Sequence, residues 1–376
     1  MKIAVPAETR PGERRVAAVP DTVAALVRQG AEVVVQSGAG RAALASDDAY
    51  REAGATVVDG DVLADADVVL HVRPLLPADV ARLRPGTVTI GFLAPSAEPD
   101  GVRALRDRGV TALSVELVPR ISRAQSMDAL TSQALVAGYR CALEAAMRLP
   151  RFFPLFMTAA GTVPPAKVLV LGAGVAGLQA IATARRLGAV VEAYDVRPAS
   201  ADEVRSMGAT FVQLDLEAIE GAGGYARELG EERAARQREL LAPYVAKSDV
   251  LITTAAVPGR PAPLLVTRDM VAAMKPGSVV VDLAAESGGN VEGSVAGEEV
   301  AVGDVTLVGL RDAASTMPVD ASRLYAKNLT NLLALIVSDD GEVAVNLDDE
   351  VVAGACVTHA GEVRHEPTRL LLEEEA

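Results

Sequence analysis

Val168-Leu169-Val170-Leu171-Gly172-Ala173-Gly174-Val175-Ala176-Gly177 is the stretch on which the fold turns. Four apolar residues read as a buried strand, and the spacing from Val175 to Leu187 reads as a helix with one apolar face. Three glycines lie between and at the start of these elements. A glycine pattern alone is weak, because glycines are common in any turn. Here a second apolar run, Val190 to Tyr194, follows and ends in Asp195, 18 residues beyond Gly177. Strand, glycine turn, helix, strand and acid in that order make a dinucleotide-binding unit. Gly172 permits the tight turn, Gly174 admits a pyrophosphate against the backbone, and Gly177 lets helix and strand pack closely. The helix N-terminus adds unpaired N–H groups and partial positive charge. Asp195 is expected to accept from both adenosine ribose hydroxyls and to repel a 2′-phosphate. The reading is therefore NAD rather than NADP, with Arg197 pulling slightly the other way.

Working outward, further strands are expected at Phe211–Leu214, Val250–Thr254, Ser278–Leu283 and Thr306–Leu310, making a doubly wound parallel sheet. The first ~125 residues alternate strand-like runs (Lys2–Val5, Ala31–Gln36, Ala55–Val58, Val68–Val72, Thr87–Phe92, Val110–Val115) with helical stretches, and Gly or Pro marks most joins. No second glycine fingerprint occurs there. Residues 129–149 and 321–337 read as two linking helices, and Glu342 to Val363 as strands returning to the first domain. The fold class is α/β with two Rossmann-like domains and a cleft between them. The expected domains are 1–128 with 338–376, and a nucleotide-binding domain over 129–337 that includes both linking helices.

Composition narrows the function. The chain has 376 residues, of which half are hydrophobic but only 3% aromatic, and no Trp. Apolar mass made of Ala, Val and Leu suits parallel strands covered by helices. A formal net charge of −14 argues against phosphate backbones and anionic lipid as partners. Cys141 and Cys356 give no disulfide framework or metal spacing, and His71, His359 and His365 lie far apart, so no metal site is expected. No signal segment is legible, and no run approaches the ~18 to 20 apolar residues of a membrane span, so no direct membrane insertion is expected.

Two polar segments stand out. Residues 119–128, Pro-Arg-Ile-Ser-Arg-Ala-Gln-Ser-Met-Asp, concentrate groups foreign to a core. A helix N-cap explains Ser126 or Asp128 alone. It does not explain Arg120, Gln125 and Asp128 together, which read as a polar clamp for the nicotinamide amide and ribose, with an Arg–Asp pair fixing the geometry. Gly221-Ala222-Gly223-Gly224-Tyr225, followed by the charged helix 230–247, reads as a lid with a glycine hinge.

On these residues the chain resembles the proton-translocating NAD(P) transhydrogenase family, in the NAD(H)-binding part of its alpha (alpha-1) subunit. The resemblance runs through Glu13-Arg14-Arg15-Val16-Ala17, the Arg120–Asp128 segment and the Gly172–Gly177 turn. It continues through Gly223 to Ala226, Ile252 to Ala255, Val281 to Ala284 with Gly288-Gly289-Asn290, and Leu324 to Asn331. It implies that Arg120, Gln125 and Asp128 hold the nicotinamide end, with Gln125 also facing the partner's NADP(H). Thr131 stands where the family often has Ser. Val175, Asp195, Val196 and Arg197 are implied for the pyrophosphate and adenosine, Gly224, Tyr225 and Gln237 for a mobile loop, and Ala256 for the pocket wall.

The reaction the resemblance implies is direct hydride transfer from NADH to NADP⁺ held by a partner subunit, coupled to proton translocation by membrane-spanning subunits. The chain is then a homodimer, peripheral on the cytoplasmic face. Two other readings stand beside it. Alanine dehydrogenase is related, and Arg15 is a carboxylate-binding candidate. However, Arg73 falls where that enzyme needs a lysine, and no histidine occurs near Thr89–Ala94. A non-catalytic NAD(H)-binding module explains the glycine turn but leaves the polar clamp without purpose.

Overall fold

The computed structural model describes residues 1–215, 230–257, 259–338 and 340–374. Its contacts divide the chain into two compact units, Met1–Gln133 with Ser315–Ala376, and Ala134–Ala314.

Unit 1 begins with β1 (Lys2–Val5), β2 (Glu32–Gln36), β3 (Thr56–Val58), β4 (Val68–Leu70), β5 (Val88–Gly91) and β6 (Thr111–Ser114). They run parallel in the order β6-β5-β4-β1-β2-β3. Successive side chains on a strand leave by opposite faces, and both faces here are covered. Ile3, Val5, Val33, Val35, Leu70 and Ile90 enter one core, while Ala4, Val34, Val69 and Ala112 enter another. That is why these strands carry unbroken Val-rich runs rather than alternation.

Unit 2 opens with a small antiparallel hairpin, β7 (Phe156–Thr158) and β8 (Gly161–Val163). Its sheet comprises β9 (Lys167–Leu171), β10 (Val190–Tyr194), β11 (Thr210–Phe211), β12 (Val250–Thr253), β13 (Val279–Asp282), β14 (Glu299–Val302) and β15 (Val305–Gly309). The order is β11-β10-β9-β12-β13-β15-β14, parallel throughout except for β14 at the edge. Without β14 this is the doubly wound arrangement, with its topological switch between β9 and β12. The hairpin and β14 escape sequence reading because they are largely exposed and carry no buried apolar run.

The chain then returns to unit 1, where β16 (Cys356–His359) and β17 (Glu362–Val363) extend the sheet antiparallel beyond β6. The expectation of strands throughout Glu342–Val363 needs correction, since Glu350–Ala355 is helical. Its signal lay in Asp349, whose carboxylate accepts from the backbone N–H of Val351 (2.8 Å) and Val352 (3.2 Å) as an N-cap.

The expected linking helices fall differently between the units. Ala129–Arg148 crosses the division after Gln133, whereas Pro318–Leu333 lies wholly in unit 1. Burial explains the second. Tyr325, Leu329, Leu332 and Leu333 share a core with Ile3 and Val5.

Within unit 2, Ala137, Cys141, Ala142 and Ala145 of helix Ala129–Arg148 pack with Ala173, Ala180 and Ala184. Small residues bring the backbones together, and Gly138 marks the closest approach. A Cβ on it would lie 2.0 Å from the Ala176 carbonyl oxygen. Alanine normally gains about 1 kcal/mol over glycine in a helix interior, but backbone cannot swing aside, and overpacking costs about 1–3 kcal/mol or more. Gly138→Ala is therefore expected to lower unfolding stability in a urea titration. An increase would show that the two helices separate freely.

Candidate functional site

At the carboxyl end of β9 the chain reverses through Gly172, whose φ of +95° lies in the left-handed region that favours glycine. Its N–H donates to the Tyr194 carbonyl at 2.8 Å, tying the turn to β10. A Cβ on Gly177 would stand 1.9 Å from the Gly172 carbonyl oxygen, so internal packing alone demands that glycine. Gly174 is different. It caps helix Val175–Arg186 with ordinary extended backbone (φ −76°), and a Cβ there would meet no atom of the described residues within 4 Å. The first-turn N–H groups of Val175, Ala176 and Gly177 have no intrahelical carbonyl to bond.

Asp195 follows β10 with its carboxylate against this turn. One oxygen accepts from the Ala173 N–H at 2.7 Å and from Arg197 Nη2 at 3.1 Å. The other accepts from the Arg197 backbone N–H (2.9 Å) and Nε (3.0 Å). Arg197 thus folds onto Asp195 and neutralises it, a pairing where the sequence suggests only a contrary charge. Val196 between them is half-buried. Gln237, on helix Glu231–Lys247, is buried beside the Tyr194 hydroxyl, and its Nε2 has no hydrogen-bond partner among the described residues. Burial, aided by the Asp195 charge, pushes Tyr194 up to about 12. Gly224 and Tyr225, expected in the mobile loop, lie outside the described residues.

The loop after β12 forms the opposite side of the switch point. Thr254 Oγ1 donates to the Gly172 carbonyl at 3.0 Å, joining the two loops directly. Ala256, expected in the pocket wall, is exposed two residues later. In the sequence Thr254 stands only as one letter of a motif. Its signal was a hydroxyl where an apolar strand meets the end of the sheet.

The Arg120–Asp128 segment belongs to unit 1. Residues Ser122–Met127 form a 3₁₀ turn, with Ala124 and Met127 buried as anchors and Arg120 and Gln125 exposed. Asn328 and Asn331 both donate side-chain hydrogens to the Ser126 carbonyl, at 2.9 and 3.0 Å. Arg123 forks onto Asp349 at 2.9 and 3.0 Å. Asp128 accepts from the Thr131 N–H (2.9 Å) and from Thr131 Oγ1 (2.6 Å). It therefore caps helix Ala129–Arg148, and the Thr131 hydroxyl serves that cap. Pinned ends leave Arg120 and Gln125 displayed from a fixed backbone.

A buried charge cluster lies elsewhere in unit 1. Glu13 receives the Arg15 guanidinium through Nε (2.8 Å) and Nη2 (2.7 Å), and also Arg73 Nε (2.9 Å). Burial works to raise Glu13, but the Arg15 hydrogen bonds and charge, with Arg73 behind them, hold it at about 2. The remaining edge of Arg15 donates to Gln133 at 2.9 Å. Glu8 is pushed up to about 7 by burial, against the N–H groups of Val72 and Arg73 that hold its carboxylate. His71 is fully buried. Its Nδ1–H donates to the Arg73 carbonyl at 2.7 Å, and burial drops its pKa to about 4. An imidazole that stays neutral through the physiological range is a poor proton carrier.

Among the described residues no cluster of His, Cys, Asp or Glu could hold a metal ion, and no helix is long and apolar enough to cross a membrane. The glycine cradle and the Asp195 carboxylate fit a dinucleotide.

Comparison with known proteins agrees with this geometry. The alanine dehydrogenase/PNT N-terminal domain model matches residues 4–137, and the C-terminal domain model matches residues 141–366. An NAD(P) transhydrogenase subunit alpha chain of Rhodospirillum rubrum is 50% identical, across 97% of this chain and 98% of that protein. A solved transhydrogenase from Sinorhizobium meliloti aligns with a TM-score of 0.87 at 46% identity, over 96% of this chain and 100% of that one. An L-alanine dehydrogenase structure gives 0.82 at 26% identity, with both chains fully covered. The chain belongs to the alanine dehydrogenase/PNT family, as a relative of the NAD(P) transhydrogenase alpha subunit.

Proposed function

We propose that the chain is the NAD(H)-binding subunit of a proton-translocating transhydrogenase. It acts as a homodimer, peripheral on the cytoplasmic face of the membrane through its partners. The observation that carries the reading is the cradle in unit 2, where Gly174, at a helix N-terminus beside Asp195, has no atom of the described residues within 4 Å of where a Cβ would stand.

When bound, NADH supplies a hydride to NADP⁺ held by a partner subunit. The work of this chain is holding and shielding. Gly172, Gly174, Val175 and Gly177 present backbone to the pyrophosphate. Asp195 takes the ribose hydroxyls, which requires the Arg197 guanidinium to yield two of the four hydrogen bonds that now saturate the carboxylate. Val196, Gln237 and Ala256 line the remainder. Arg120, Gln125 and Asp128 with Thr131 serve the nicotinamide end. Hydride passing between two nicotinamides moves no proton at the reacting carbons, so no general acid or base is needed. Reacting atoms held about 3–3.5 Å apart with water excluded suffice.

The purified chain, mixed with an NADP(H)-binding partner domain, should reduce an NAD analogue at the expense of NADPH. It should not oxidise alanine alone. Alanine-dependent NADH formation without partner would place the chain with the dehydrogenases, and NADH binding without transfer would make it a binding module. Two glycine variants separate packing from ligand contact. Gly174→Ala should leave stability within about 0.5 kcal/mol yet weaken NADH by tenfold or more, about 1.4 kcal/mol. Gly177→Ala should lower the melting temperature itself. Equal thermal damage from both would remove the cradle argument. Asp195→Ala should weaken NADH by about 1–3 kcal/mol, the range for charged hydrogen bonds. Calorimetry showing unchanged affinity would refute the ribose assignment.

A further inference from the structure

Asn290 has no part in the scheme above, yet its side chain is fully engaged. Its Oδ1 accepts from the Ala255 N–H at 3.0 Å, and its Nδ2 donates to the carbonyls of Ala255 (2.8 Å) and Pro263 (2.8 Å). One carboxamide thus grips both polar groups of residue 255, in the loop that leaves β12. The asparagine is completely buried and is itself anchored. Asp282, fully buried at the end of β13, accepts from the backbone N–H groups of Asn290 (2.9 Å), Val291 (3.2 Å) and Ala284 (3.0 Å), and from Thr253 Oγ1 (3.0 Å). Gly288 and Gly289, with φ of +104° and +81°, bend the chain so that it meets this carboxylate. A Cβ on Gly289 would already stand 3.0 Å from Asp282 Oδ2.

These contacts form a continuous path from Asp282 through Asn290 to Ala255, then by one peptide to Thr254 and its bond to Gly172. In a doubly wound sheet the pyrophosphate lies at the switch point, and the two nucleotide halves extend over opposite halves of the sheet. Asp195 and β10 mark the adenosine half. The β12 and β13 ends, including the 254–257 loop, therefore underlie the nicotinamide half.

We infer that Asn290 is a positioning residue for the nicotinamide half of the site, fixing the Ala255 peptide and so the wall that continues into Ala256. The inference rests on the proposed nucleotide site. Residues two shells from a ligand matter when the reacting atoms must be placed closely, because a 1 Å displacement costs on the order of 100-fold in rate.

The test is Asn290→Ala, with Asn290→Ser as the milder variant should alanine fail to fold. The full chain is assayed for ADP binding, NADH binding and single-turnover hydride transfer with an NADP(H)-loaded partner domain. ADP affinity should stay within about twofold, since the adenosine half is untouched, while transfer at saturating NADH falls about 10- to 100-fold. Transfer within twofold of the parent in a folded variant would overturn the inference. So would equal loss of ADP and NADH affinity, which signals general damage. If the parent chain itself shows no transfer, the proposed function fails separately. Asn290 is then judged by binding alone, where NADH must weaken relative to ADP.

Discussion

A Cβ on Gly177 would stand 1.9 Å from the Gly172 carbonyl oxygen, and the geometry of the nucleotide site depends on that absence. Because the helix can sit against the end of β9, its first-turn N–H groups open at the switch point rather than a residue's width away. The same proximity lets the Ala173 N–H reach Asp195 and the Gly172 carbonyl accept from Thr254. One backbone contact thus sets the spacing of three loops, after β9, β10 and β12. Gly138 repeats the device on the outer side of the helix, where the Ala176 carbonyl leaves no room for a methyl group.

Within this frame the glycines divide by what excludes a side chain. Gly172 and Gly177 are required by the protein's own atoms, and Gly172 also by its φ. Gly174 is required by neither its φ nor any atom of the described residues, which is why it speaks of a ligand while its neighbours speak of packing. The distinction is invisible in the sequence, where all three are letters of one motif.

Other parts were legible to different degrees, for physical reasons. Strands buried on both faces announce themselves as Val-rich runs, so the six parallel strands of each sheet could be read to within a few residues. Helix Pro318–Leu333 was legible as a helix but not by allegiance, because an apolar face does not say which core it enters. Tyr325 and Leu329 settle that only in three dimensions. Asp128 shows the converse difficulty. Its type and place suggested a clamp, and the structure shows it bonded to Thr131 as a helix cap. Capping fixes the backbone from which Arg120 and Gln125 project, so the two roles are compatible. Asn290 was readable only as part of a shared motif, since its partners lie 27 and 35 residues away.

The buried charges of unit 1 bear on which chemistry the shared fold performs. A desolvated guanidinium is costly unless it is paired, and leaving one partner of such a pair alone costs about 3–5 kcal/mol. Arg15 is already matched edge for edge, with Glu13 on one side and Gln133 on the other. Arg73 leans on the same glutamate. An amino-acid carboxylate could engage Arg15 only by displacing the Gln133 amide from one edge or Glu13 from the other, and Glu13 is a buried carboxylate held near pKa 2 and therefore ionised at neutral pH. Burial lowers His71 to about 4; its Nδ1 donates to a backbone carbonyl, and its Nε2 has no hydrogen-bond partner among the described residues. Arginine cannot replace the missing lysine as a base. In this chain the two arginines of the cluster are held by the protein's own carboxylate and amide groups, which leaves neither guanidinium open without a displacement.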